Sequence, residues 1–353
     1  MTDVGRHVLR ELKIRAYRVD ALPLDRVSDE MGNALKEMDD VAKVAEFFLA
    51  DLGPVTPPDA LPYLRMSAAG LANRRTSPEE LAETFRNTWG MVEVMEGDAR
   101  DRLFAADLLV RSPVPASRLY AGMMHSMEML RAPGGAVRHP VSTSALLHLY
   151  PTPAPQGKLA EWKQWRPHVH SDETAAILAG AHSLDALHRL ETLRTAIARS
   201  TRATPDAEHA AAFLLLSAAD PAETLDRMFV LASLLEGRLP TPLVASSLLV
   251  TRHSLSPEEL LDWVDKAVAI VESRNLAPTA AEVTAIAIAL VHGLASDRFG
   301  PGAPAAAAVT GTEFAADVLG LLALHAWIYR PTIEAGGTVE PLGPGATVPA
   351  SGS

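Results

Sequence analysis

The chain has 353 residues, 48% of them hydrophobic, and a formal net charge of −11 from 32 Lys and Arg against 43 Asp and Glu. This length can bury a large core. The acidic balance disfavours a nucleic acid or an anionic membrane as partner, because phosphate binding depends on clustered cations. The lack of cysteine excludes disulfides, thiolate catalysis and cysteine-ligated zinc.

The apolar stretches and the first residues indicate where in the cell the protein is located. The longest apolar stretches, such as 210–216 and 285–291, are far shorter than the ~20 residues of a membrane span. Met1-Thr2-Asp3 does not begin a basic segment followed by an apolar one, as a secretory signal would. We therefore expect a soluble cytoplasmic protein.

Residues 1–57 predict N-terminal capping helices. Two or three helices are expected here, including one over 41–52, before the break at Gly53-Pro54 and Pro57-Pro58. We expect this segment to cover the first unit of the repeat that follows.

A recurring helix start organises residues 58–298. A Ser or Asp precedes a Pro and acidic residues, so that the exposed amide groups at the helix start are capped. Three copies are clear: Ser77-Pro78-Glu79-Glu80-Leu81, Asp220-Pro221-Ala222-Glu223-Thr224-Leu225 and Ser256-Pro257-Glu258-Glu259-Leu260. Weaker copies lie at Ser112-Pro113, near Thr152, at Ser183 and around Ser296. Cap-to-cap spacings of 35 to 37 residues are typical of helical-pair repeats.

The two helices of each repeat differ in pattern. The helix after Ser256 has apolar residues at the i, i+3, i+4, i+7 spacing of an amphipathic helix, whereas 285–290 is apolar all round. An all-round apolar helix requires neighbours on both sides. The sequence therefore predicts an all-α fold, an αα-hairpin repeat array of about seven repeats that forms an α-solenoid or an α/α superhelix.

The repeat is least regular in the middle of the chain, where Gly- and Pro-rich segments interrupt it at 132–135 and 151–157. The segment that follows contains Trp162 and Trp165. One interpretation makes them anchors on an exposed helix face beside Lys163 and Arg166, since Trp and Arg are enriched at interface hot spots. The interpretation we favour makes Leu159 and the two Trp residues a core stripe, because their spacing is helical.

The C-terminal segments differ from the repeat in composition. Residues 299–311 predict a loop, 312–330 a C-terminal capping helix, and 331–353 a disordered tail rich in Gly, Pro and Ser.

Common catalytic motifs do not occur in the sequence. It has no phosphate-binding glycine loop, dinucleotide fingerprint, nucleophile elbow or zinc-protease helix. We expect a protein without a cofactor, and the sequence favours a non-enzyme without deciding the question. His168, His170, Asp172 and Glu173 offer ligand types for a divalent metal. A polar loop is the interpretation we favour there, and we expect no metal.

Two further residue sets recur near helix ends. Cations near the ends of the apolar helices could form a stripe that contacts an acidic partner, although the helix dipole alone favours cations there. They are Arg74, Arg75, Arg111, His148, His182, Arg252, His253 and His292. A methionine cluster could form an adaptable binding face, but its helical spacing favours gap-filling core. It comprises Met91, Met95, Met123, Met124, Met127 and Met129.

The pattern of an apolar helix, a capping residue, Pro, acids and Leu is seen in full over 214–225. In this respect the chain resembles an uncharacterised bacterial family of all-helical proteins of similar length. The resemblance covers most of 58–295 and implies a helical fold, with no catalytic residues to carry over.

Two functions remain open. The first is a non-enzymatic scaffold that binds a protein or peptide partner, the common use of helical arrays. The alternative is an enzyme or a small-molecule- or metal-binding protein with a central pocket lined by His and carboxylates. The candidate contact residues are Trp162, Trp165, Arg166, His168, His170, Arg111, His148, His182, His253 and His292.

Overall fold

The computed structural model describes residues 24–294, except 59, 73–76, 112–115, 132–136, 138, 150–154, 170, 182–183, 201–203, 217–220, 240–241 and 253–254. These residues form 14 α-helices and no strand, so the all-α prediction is confirmed. No helix in the described part of the chain has both the length and the apolar composition that crossing a membrane requires. The predicted loop at 299–311, helix at 312–330 and tail at 331–353 lie outside the described residues.

The helices follow one another with short connections. Their bounds are α1 Leu24–Leu52, α2 Leu61–Ala72, α3 Pro78–Val92, α4 Ala99–Arg111, α5 Ala116–Arg131, α6 Pro140–Leu149, α7 Pro155–Trp165, α8 Asp172–Ala181, α9 Leu187–Ser200, α10 Thr204–Leu216, α11 Pro221–Leu234, α12 Pro242–Arg252, α13 Pro257–Ser273 and α14 Ala280–Leu294. The chain divides into two compact units. The first contains α1, α2, α3 as far as Arg86, and α11 to α14; the second contains the rest of α3 and α4 to α10.

Two of the three clear helix starts have the predicted caps. The Ser256 side chain accepts a hydrogen bond from the Glu259 amide at 3.3 Å, and the Glu259 carboxylate accepts one from the Ser256 amide at 2.9 Å. Ser77 accepts a hydrogen bond from the Glu80 amide at 3.2 Å. Each such cap stabilises its helix by about 1 kcal/mol. Asp220 lies outside the described residues, although α11 begins directly after it at Pro221.

The two predicted kinds of helix alternate along the chain. In α13 the apolar side chains that are buried form a single stripe, Leu260, Trp263, Val264, Ala267 and Val271. In α12 and α14, by contrast, every residue of 243–250 and of 283–291 is buried. The same continuous burial holds for 103–110, 141–147, 173–179 and 207–215 in α4, α6, α8 and α10. A helix buried all round must have neighbours on several sides.

In the first unit, helices from the two ends of the described chain pack together. Besides the neighbouring pairs α1–α2, α11–α12 and α13–α14, helix α14 packs on α2 and α1, and α13 packs on α1. Arg65 of α2 forms an ion pair with Glu282 of α14 at 2.8 Å. Arg274, just after α13, binds Asp39 at 2.6 Å and Glu46 at 2.9 Å. Residues more than 200 positions apart in sequence thus stabilise one core.

The second unit is organised around α6. This helix packs on α4, α5 and α8, and more lightly on α7. The pairs α7–α8 and α9–α10 continue the packing, and α10 also contacts α8. All seven described residues of 141–147 in α6 are buried, so α6 lies in the interior of this unit.

The N-terminal segment differs from the prediction in one respect. A helix was expected over 41–52 as one of two or three, but α1 runs without a break from Leu24 to Leu52. The predicted end at Gly53-Pro54 is confirmed, since a short 3₁₀ turn follows at Gly53–Val55. The side chains that anchor α1 include Met38, Ala42 and Phe48, all of them buried. Phe48 packs edge to face on Phe85, with ring centres 5.1 Å apart.

Candidate functional site

Polar side chains gather at both ends of the buried helix α6. At its start lie Asp101, His139, Ser171 and Glu173, which we call the His139 cluster. At its end lie Ser126, His148 and Lys158, which together with the backbone of Gly122 form the His148 cluster. The two histidines are nine residues apart, or roughly 14 Å along the helix axis. All eight residues belong to the second unit.

Asp101, in the first turn of α4, caps the start of α6. Its Oδ2 accepts a hydrogen bond from the Val141 amide at 2.9 Å, and its Oδ1 accepts one from the Ser142 amide at 2.8 Å. Burial raises the pKa of this carboxyl, although the hydrogen bonds to Ser142 and Val141 oppose the rise. Gly97 allows the close approach, since a Cβ there would lie 2.8 Å from Val141 Cγ2.

His139, just before α6, forms a buried ion pair with Glu173 at the start of α8. The Nδ1 atom of His139 contacts Glu173 Oε1, and the other carboxylate oxygen accepts a hydrogen bond from the Ser171 hydroxyl at 2.8 Å. Ser171 also caps α8, because its Oγ accepts a hydrogen bond from the Thr174 amide at 3.2 Å. The carboxylate is therefore fixed from two sides.

The pair is ionised at neutral pH. Burial lowers the pKa of His139, but the charge and hydrogen bond of Glu173, aided by Asp101 and Asp98, outweigh it and raise the pKa to about 9. Burial raises the pKa of Glu173, but the imidazolium of His139 outweighs this effect and holds the pKa of that carboxyl below its ordinary value. An imidazolium donates hydrogen bonds from both ring nitrogens.

The outer nitrogen of His139 can reach a ligand. The side chain is 31% exposed, against 5% for Glu173. Within the described ranges, Nε2 has no hydrogen-bond partner. The hydroxyls of Thr143, one turn further along α6, and of Thr174, beside Glu173, are buried and likewise have no partner among those residues. Buried polar groups of this kind usually bind water or another ligand.

The His148 cluster joins α5, α6 and α7. Ser126 Oγ lies 2.7 Å from His148 Nε2, and the imidazole also forms a hydrogen bond with the Gly122 backbone. Burial lowers the pKa of His148, as does the nearby charge of Lys158. Lys158 is itself buried, which lowers its pKa to about 8 despite the charge of Glu161. His148 is thus neutral at pH 7.

The interpretation of Trp162 and Trp165 as exposed anchors is wrong. Their exposed fractions are 2% and 1%, so both rings belong to the core, as the helical spacing predicted. Trp162 also donates a hydrogen bond from Nε1 to the Asp172 carbonyl at 3.0 Å. Arg166 lies over the Trp162 ring and binds the Asp172 carboxylate at 2.8 Å. These contacts hold α7 against α8.

Among the described residues, no group of three or more His, Asp or Glu side chains is arranged so that it could hold a metal ion. His168 is half-buried, and its carbonyl accepts a hydrogen bond from Arg194 at 3.0 Å. Asp172 forms an ion pair with Arg166, and Glu173 forms one with His139. His170 lies outside the described residues.

Within the predicted cation stripe, His148 is neutral at pH 7, because burial and the charge of Lys158 lower its pKa, and its ring binds Ser126. His292 lies half-buried in the last turn of α14. The other members lie outside the described residues or have side chains that do: Arg74, Arg75, Arg111, His182, Arg252 and His253.

The methionine cluster is divided between core and surface. The core prediction is confirmed for Met95, Met123 and Met127, which are at most 2% exposed. It is wrong for Met124 and Met129, which are 38% and 43% exposed on α5. Those two side chains lie on the solvent side of an amphipathic helix.

Sequence reasoning named Glu173 only as a possible metal ligand and missed the rest of the His139 cluster, although the spacing of these residues contains a signal for it. His139 follows Asp101 by 38 residues and precedes Glu173 by 34, so each residue falls near the start of successive buried helices. In stacked hairpins, such equivalent positions become neighbours. Ser126 and Lys158 have no comparable signal.

Comparison of the chain with protein-family models, with curated proteins and with solved structures finds no match. The site is therefore interpreted from its own geometry.

Proposed function

We propose that the chain is an αα-hairpin repeat array of about seven helix pairs, of the α/α-superhelix kind. The alternation of one-sided and all-round burial supports this, as does the regular start of the amphipathic helices. From α3 to α13 they begin 32 to 39 residues apart, a range typical of helical-pair repeats. The likeness to the uncharacterised bacterial helical family and the cytoplasmic location stay predictions.

We further propose that this array is a scaffold for a protein or peptide partner, which it binds through the Nε2–H group of His139. The observation that carries the proposal is an imidazolium, 31% exposed, whose other nitrogen is fixed by a buried carboxylate. A group with a pKa of about 9 is protonated at pH 7, so it donates a hydrogen bond and does not act as a base.

The charges around His139 indicate which acceptor it binds. Glu173 offsets the imidazolium, and Asp98 and Asp101 contribute further negative potential. A carboxylate ligand would meet this potential at close range, whereas a neutral backbone carbonyl would not. The proposed contact is therefore a peptide carbonyl of the partner.

Selection of peptides from a random display library against the full chain tests this proposal. Peptides that bind should lose affinity roughly 10- to 100-fold with H139A, the effect of one charge-assisted hydrogen bond of about 1.5–3 kcal/mol. The matched control is H188A, because His188 is exposed on α9. Failure to select any peptide, or equal affinity for wild type and H139A, would refute the proposal.

The two buried threonine hydroxyls favour a second candidate, a small-molecule-binding protein. Thr143 lies one helical turn after His139 and Thr174 directly follows Glu173, and their buried hydroxyls have no partner within the described residues. A ligand with hydroxyl or carbonyl groups could satisfy them together with His139 Nε2. Ligand-observed NMR with small polyols and ketones should then show binding to wild type and loss in T143V, a substitution that keeps the shape of the side chain. Equal binding by both would exclude this candidate.

A further inference from the structure

The His148 cluster contains a serine hydroxyl in contact with a neutral imidazole. Ser126 Oγ and His148 Nε2 are 2.7 Å apart. We assign the proton of the neutral ring to Nδ1, on the side of the Gly122 backbone, so that Nε2 accepts the hydrogen bond from the Ser126 hydroxyl. A serine bound to an oriented imidazole in this way is the arrangement that activates serine nucleophiles.

The backbone of α5 is shaped for this imidazole. A Cβ at Gly122 would lie 2.7 Å from His148 Cε1 and 2.9 Å from Nδ1, so only glycine leaves room for the ring. Gly122 and Ser126 are four residues apart and lie on one face of the helix. The ring is thus positioned by one residue and bound by the other.

Lys158 adds a positive charge to the same cluster. It is 4% exposed, and its charge opposes protonation of His148. Since its pKa is about 8, Lys158 is mostly protonated at pH 7. A nearby ammonium group in a buried site stabilises negative charge that develops on a reacting oxygen. His148 is only half-buried, so the cluster contacts solvent through this imidazole, whereas Ser126 is 4% exposed.

We propose that Ser126 is a nucleophile that accepts the acyl group of a small ester, with His148 as its base, an activity beyond the binding function proposed above. The Ser126 oxygen forms a bond to the ester carbonyl carbon while its proton passes to His148 Nε2. The bond from that carbon to the alcohol oxygen then breaks, and the leaving alcohol takes the proton from Nε2. Water then attacks the acyl carbon and gives a proton to His148 Nε2. The bond from that carbon to Ser126 Oγ breaks, Oγ takes the proton from Nε2, and the acid is released, so no oxidant or reductant is needed.

A fluorophosphonate probe, which phosphonylates activated serines with loss of fluoride, tests the proposal on the full chain. Mass spectrometry of the labelled protein should place one adduct on Ser126. S126A should abolish the adduct, H148Q should slow its formation by at least ~100-fold, and S117A should leave the rate unchanged. Ser117 is the matched control because it is exposed on the same helix.

The pH dependence of wild-type labelling keeps the test valid if H148Q does not fold. The rate should rise with pH as His148 loses its proton, and this should occur below the ordinary histidine value of 6.5. Absence of an adduct on Ser126 would overturn the proposal. So would labelling that is independent of pH between 5 and 7, or that is equally fast in a folded H148Q variant.

Discussion

Substitution of Glu173 by Gln isolates the contribution of the buried ion pair. Glutamine keeps the size of the side chain but removes the charge that holds His139 protonated. The pKa of His139 should then fall by about two units from its wild-type value of about 9. The imidazole of the variant is consequently largely neutral at pH 8, whereas that of the wild type is charged.

The pKa shift also sets the expected loss of stability. A rise from 6.5 to about 9 corresponds to roughly 3 kcal/mol at 1.36 kcal/mol per unit. The His139 side chain is 31% exposed, so solvent screening reduces this figure. We expect E173Q to lower the free energy of unfolding by about 1 to 3 kcal/mol at pH 6.

The effect should depend on pH in a definite direction. The raised pKa of His139 contributes stability that is complete below 6.5 and is lost as the pH rises through about 9. The lowered pKa of Glu173 contributes stability that is present above 4.5 and is lost as the pH falls below that value. The difference between wild type and E173Q should therefore be largest near pH 5–6 and small at pH 10.

Two measurements check this prediction. NMR titration of protein with ¹³C-labelled histidine, assigned by comparison with H139Q, gives the pKa of His139 in both proteins. Urea unfolding at pH 6 and pH 10 gives the stability difference. Glu128→Gln is the control, because Glu128 is exposed on α5. A wild-type His139 that titrates near 6.5, or the same loss of stability at both pH values, would refute the reasoning.

Two other substitutions test local packing. Gly122→Ala should lower the free energy of unfolding by about 1 to 2 kcal/mol in urea, because the clash with His148 exceeds the gain in helix propensity. Gly90→Ala, where a Cβ meets no atom within 4 Å, should raise it by up to about 1 kcal/mol; equal effects of the two would disprove the close approach at Gly122. Ser256→Ala should lower the melting temperature, since it removes a cap of about 1 kcal/mol. An unchanged melting temperature would show that the capping box contributes no stability.

The helical fold could be predicted because its signals are local. Ser77 and Ser256 mark helix starts through the groups they must cap, and the all-round apolar run at 283–291 marks a buried helix. The helical spacing of Trp162 and Trp165 predicted their burial in the same way. Each of these inferences needs only residues within one or two turns.

The candidate site depends on packing between hairpins, which local patterns do not specify. His139 becomes an imidazolium chiefly because Glu173, from another helix, lies against it. His148 is neutral because burial and the charge of Lys158, from α7, lower its pKa. The same residue type at opposite ends of one helix thus has opposite protonation, whereas the sequence pattern placed only His148 among the helix-end cations and assigned His139 no role.

The packing of α14 on α1 and α2 has a consequence for how the chain matures during synthesis. Arg65 and Asp39 leave the ribosome more than 200 residues before their partners Glu282 and Arg274. The residues of α4 to α10 are all made in that interval, so these helices can pack on one another while the first unit is half-made. Folding of early segments during translation is usual for chains of this size. The N-terminal helices, by contrast, keep apolar surface uncovered until α13 and α14 arrive, and they are the segment for which a chaperone has the most time to act.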